Sequence, residues 1–76
     1  MIKIYKREEE KMVQVGSATN AHLAINNLCA RLGVQPHDLQ IDVKRIGGDG
    51  TNAQIDIYFA NDRKRTKAIG QLMIYS

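Results

Sequence analysis

Two stretches of strict alternation dominate the pattern of apolar and polar positions. Leu39, Ile41 and Val43 alternate with Gln40, Asp42 and Lys44, while Ala53, Ile55, Ile57 and Phe59 alternate with Gln54, Asp56 and Tyr58. Successive strand side chains point to opposite faces, so this period predicts two strands with one buried and one wet face. The turn-rich stretch Gly47-Gly48-Asp49-Gly50-Thr51-Asn52 between them makes the pair an antiparallel hairpin with a long loop. Its glycines are not a phosphate loop, which needs a Lys-Ser/Thr pair and a following helix.

Before the hairpin the period changes. Ala21, Ala24, Ile25, Leu28 and Leu32 fall on one stripe at helical spacing, which predicts a helix from about Asn20 to Leu32. Ser17 or Thr19 is expected to cap its start. Gly33 suits a left-handed C-terminal cap, and Pro36 prevents resumption. This helix is expected to cover Ile41, Val43, Ile55 and Ile57.

At the N-terminus, Ile2 and Ile4 alternate with Lys3 and Tyr5, and Val13 and Val15 with Met12 and Gln14. The expectation is two strands joined near Arg7-Glu8-Glu9-Glu10. A single strand with a charged loop, or an exposed helix built on Glu and Lys, competes for residues 7–11.

The last segment reads as a helix capped by Asn61 that buries Ala68, Ile69, Leu72 and Met73, although Gly70 in its interior costs about 1 kcal/mol relative to Ala. In the competing reading the helix stops near Gly70 and Leu72-Met73-Ile74-Tyr75 forms a short strand. The preferred order is therefore ββαββα: an antiparallel sheet of about four strands with two helices on one face, an α+β fold. The alternative is ferredoxin-like with a short C-terminal strand and an additional N-terminal one. The strand–helix–hairpin–helix order resembles that of the small DinI-like SOS-response proteins. Those end in an acidic helix where this chain is basic, and no motif matches, so no family follows.

Composition narrows the class. Seventy-six residues make a single domain, 1–76, and a chain this short buries only about 60% of its unfolded surface. One cysteine excludes an internal disulfide, and one cysteine with two histidines is a poor metal set. Self-association is the remaining reinforcement, so a homodimer is expected. No apolar run approaches a membrane span, and Met1-Ile2-Lys3-Ile4 lacks a secretion signal, so the expected setting is cytoplasmic.

Charge supplies the main functional candidate. Arg63, Lys64, Arg65 and Lys67, with Asp62, give the stretch 61–76 a net charge of +3, equal to that of the whole chain. In the helical reading Arg63, Lys64 and Lys67 point away from the apolar stripe and Arg65 lies at its edge. Four cations at a helix N-terminus oppose the macrodipole, which suggests that they hold phosphates. A solvated helix face is the plain alternative.

A second candidate is the wet sheet face, where Tyr5, Tyr58 and Lys44 are expected together. Stacking of single-stranded bases there is opposed by Asp42 and Asp56, and a dimer interface fits tyrosine better. Catalysis has no candidates. His22 stands two turns, about 10 Å, before Cys29 on the same helix; Cys29 reads as a small core residue, and His37 as a loop residue.

The sequence thus points to a small non-enzymatic binding module, without cofactor, metal or small-molecule substrate, whose basic C-terminal helix contacts nucleic-acid phosphates. The rival reading is a homo-oligomeric protein-interaction adaptor or regulator, of the kind found among phage and bacterial accessory proteins.

Overall fold

In the computed structural model, which describes residues 1–46 and 52–75, strand pairing decides the architecture. The elements are β1 (Ile2–Glu8), β2 (Lys11–Ala18), α1 (Ala21–Leu32), a 3-10 turn (Pro36–Asp38), β3 (Leu39–Ile46), β4 (Ala53–Phe59) and β5 (Gly70–Ile74). They form one five-stranded sheet in the order β2-β1-β5-β4-β3, antiparallel throughout, with one helix packed on it. The class is α+β, with a strand more and a helix fewer than the sequence pattern suggested.

The N-terminal hairpin is as expected. Glu8 pairs with Lys11, and Glu9 adopts φ 58° at the turn, which settles residues 7–11 as strand ends around a tight reversal. The β3–β4 hairpin also forms, in the register Leu39–Phe59, Ile41–Ile57 and Val43–Ile55. Of its glycine-rich loop, residues 47–51 lie outside the described ones.

The helix begins one residue later than the pattern suggested, and its cap is neither Ser17 nor Thr19. Ser17 and Ala18 still belong to β2; Asn20 caps instead, its Oδ1 accepting from the Leu23 N–H at 2.9 Å. An extended φ of −145° at Asn20 is the ordinary N-cap geometry. The other end is as expected: Gly33 takes φ 71°, and the N–H groups of Gly33 and Val34 both return to the Cys29 carbonyl.

The expected C-terminal helix is absent. Residues 60–69 run as turns, and Gly70–Ile74 enters the centre of the sheet between β1 and β4. Leu72 pairs with Ile4 on one side and Ile55 on the other. A strand there supplies hydrogen-bond partners to two neighbours at once, whereas a helix would leave the inner edges of β1 and β4 unpaired. The outcome also removes the last element of the order shared with DinI-like proteins.

Ile2, Ile4, Leu72 and Ile57 from the sheet meet Ala24 and Leu28 from α1 in the buried core. Because α1 packs over β1 and β2, its shelter fades toward β3. Ile57 is fully buried and Ile55 half-buried, but Ile41 and Val43 remain 49% and 53% exposed, against expectation. A helix about 10–12 Å wide cannot roof five strands spaced about 4.8 Å apart.

Candidate functional site

The four cations of the basic cluster sit in the β4–β5 connection, not on a helix, and its shape is set by Asp62. The Asp62 carboxylate accepts from the backbone N–H of Thr66 at 3.0 Å, from that of Lys67 at 3.1 Å and from the Thr66 hydroxyl at 3.1 Å. Its own backbone closes two turns, the N–H donating to Phe59 and the carbonyl accepting from Arg65, both at 3.0 Å. The backbone donors of Lys67 and Thr66 hold the Asp62 carboxyl below the usual aspartate range. Aspartate favours such local side-chain-to-backbone closure, which competes directly with helix. Asn61, read from sequence as a helix cap, forms with Asp62 a turn signal instead.

Asp62 thus spends its charge inside the loop. Arg63, Lys64 and Lys67 are exposed, and among the described residues no carboxylate lies within ion-pair distance of them. Arg65 has a different place. Held at φ 53°, it turns back onto the sheet face opposite α1, where its Nε donates to Gln40 Oε1 at 3.2 Å and its guanidinium lies 3.5 Å from Asp42 Oδ2. Gln40 completes the clasp by donating to the Asp62 carbonyl at 2.7 Å and to that of Phe59 at 3.1 Å. Three of the four predicted contact residues therefore present themselves together, while Arg65 anchors the loop that carries them. The helical reading set Arg65 apart only as lying at the edge of the apolar stripe; its anchoring role was not visible, because its partners Gln40 and Asp42 are more than twenty residues away in the chain.

Tyr5, Tyr58 and Lys44 do not form one surface. Tyr58 is only 4% exposed, so it is neither a stacking platform nor a contact residue. Lys44 lies 5.8 Å from the centre of its ring and 2.9 Å from Asp42 Oδ2. The hydrogen bond to Asp42 raises the Lys44 pKa, and the same bond lowers that of Asp42. Tyr5 is half-buried two strands away on β1, where Lys3 instead covers the ring of Tyr75 at 5.1 Å. Between the two tyrosine positions, Asp56 accepts from Gln54 at 3.1 Å and Gln71 at 3.2 Å, a cross-strand polar network that alternation alone could not reveal.

Lys67 also stands on the rim of an open recess lined by Leu32, Phe59 and Ile69 and flanked by Arg7 and Glu9. Cys29 is buried, and burial pushes its thiol pKa up, as befits a packing residue. Among the described residues no three metal-ligating side chains cluster, and no helix is long and apolar enough to cross a membrane. Comparison with protein-family models, curated proteins and solved structures finds no match to this chain.

Proposed function

We propose that this protein is a small non-enzymatic binding module that contacts nucleic-acid phosphates through the β4–β5 loop. One observation carries the reading: the loop is braced internally by Asp62 and anchored by Arg65, yet Arg63, Lys64 and Lys67 are exposed on it without acidic partners among the described residues. A braced backbone lowers the ordering cost of binding, and loops on a rigid sheet are the usual place for contact residues. Cations without base-reading partners suit phosphate rather than sequence recognition.

The test is fluorescence anisotropy with labelled single-stranded and duplex oligonucleotides over a salt series. Binding is expected to weaken steeply with salt, each neutralised duplex phosphate adding about −0.9 to the log–log slope. Arg63→Ala combined with Lys67→Ala should make that slope shallower by roughly two units, similarly across sequences. Absence of binding at low salt, or equal binding by the double variant, overturns the reading.

A second reading, a homo-oligomeric adaptor, is favoured by a separate observation, the exposure of Ile41 and Val43 on the edge strand.

A further inference from the structure

Among the described residues, strand β3 ends the sheet, with β4 on one side and no strand on the other. The Ala60 N–H donates to the Asp38 carbonyl at 2.7 Å, in the same register as the β3–β4 ladder. In an antiparallel ladder, bonded and non-bonded pairs alternate. Even-numbered residues therefore exchange hydrogen bonds with β4, and Ile41 and Val43 turn their backbone groups toward the open edge together with the Leu39 carbonyl, the Leu39 N–H being taken by the Pro36 carbonyl. All three are apolar, and Ile41 and Val43 are about half exposed. Free backbone groups beside apolar side chains form a template for another strand. Beyond Val43 the template is broken: the register with β4 slips between Val43 and Arg45, and a bulge with a lysine is a common guard of strand edges. The open part runs from the Leu39 carbonyl to Val43.

We infer that this edge pairs with β3 of a second copy of the chain, antiparallel, about a twofold axis through Ile41. Such an axis keeps like faces of the two sheets together, so it must pass through a residue and not between two. An axis through Asp42 would set two carboxylates opposite each other, and one through Val43 would drive the ladder into the bulge. Through Ile41 the segment Leu39-Gln40-Ile41-Asp42-Val43 complements itself. Ile41 faces Ile41, Leu39 faces Val43, and Gln40 faces Asp42. Apolar meets apolar, and an amide meets a carboxylate on the other face. A twofold interface needs this self-complementarity, which is what identifies the occupant as a second copy. The pairing gives the adaptor reading its partner, and it is independent of the nucleic-acid reading.

The test is light scattering of the full chain, joined with cysteine cross-linking in a Cys29→Ala background. The parent protein is expected to form a concentration-dependent dimer, and Ile41→Lys, at a half-exposed site, a folded monomer by circular dichroism. Facing bonded residues have Cα atoms about 5.5 Å apart, within disulfide range. Ile41→Cys should therefore oxidise to a covalent dimer at least tenfold faster than Val43→Cys, whose two copies stand about 13 Å apart along the strands. A parent that stays monomeric at hundreds of micromolar overturns the inference. So does a dimer that survives Ile41→Lys, or cross-linking at Val43→Cys as fast as at Ile41→Cys. Should Ile41→Lys fail to fold, the two cross-linking rates decide alone.

Discussion

Gly70 lies directly against Leu28: a Cβ added to it would stand 2.8 Å from Leu28 Cδ2 and 2.9 Å from the Tyr5 carbonyl oxygen. The helix can therefore settle onto the sheet only because the first residue of β5 has no side chain. Gly70→Ala is expected to destabilise the fold by about 1–3 kcal/mol, the usual cost of overpacking. Leu28 can shift, but the Tyr5 carbonyl belongs to a paired strand and cannot. Urea unfolding of parent and variant measures it, and a difference within error would mean that α1 sits farther from β5.

The partial roof over the sheet predicts a contrast along one cross-strand pair. Ile57 and Ile41 face each other in the β3–β4 register, one fully buried and the other half exposed. Ile57→Ala should cost about 2–5 kcal/mol, as buried large-to-small changes do. Ile41→Ala, measured at concentrations where the chain is monomeric, should cost clearly less.

Asp62 ties loop order to pH. Its carboxyl is held below the ordinary aspartate value by the N–H groups it accepts from in the fold, so the folded state favours the ionised form. The stabilisation is fully present above the unfolded pKa of about 3.9 and is lost as pH falls through the lower folded value. Asp62→Asn should make that part of the stability–pH curve shallower, the remaining fall coming from Asp42, whose carboxyl is lowered too. Amide exchange at Thr66 and Lys67 should speed up in the variant at neutral pH.

Arg65 and Lys67 carry the same charge but should fail differently. Lys67→Ala should weaken nucleic-acid binding and leave amide exchange across residues 60–69 unchanged. Arg65→Ala should release the clasp on Gln40 and Asp42, seen as faster exchange at its own amide and that of Asp62. A loop equally protected in both variants would remove Arg65 from its anchoring role.

What was legible in the sequence follows from the range of each interaction. The hairpins and α1 announce themselves through local period, and Gly33 through local backbone chemistry. Residues 61–74 misled because Ala68, Ile69, Leu72 and Met73 satisfy a helical stripe while Leu72 and Ile74 also satisfy a strand, and the open slot between β1 and β4 decided between them. Gly70 looked like a defect in a helix and is instead the point of closest approach between layers. The exposure of Arg63, Lys64 and Lys67 was legible from charge alone. The anchoring of Arg65 and the burial of Tyr58 were not, because each depends on strands brought together from distant parts of the chain.

Because the strand at the middle of the sheet follows the other four described strands in sequence, the molecule is assembled around a keystone that arrives after the strands it joins. Until Gly70–Ile74 is in place, the β1–β2 and β3–β4 hairpins have no shared strand, and an isolated two-stranded hairpin is marginal in water. A growing chain therefore has little to gain from partial folding, and its sheet should form in one late, cooperative step governed by long-range contacts. Loss of these few residues would not trim the protein. It would divide its sheet in two.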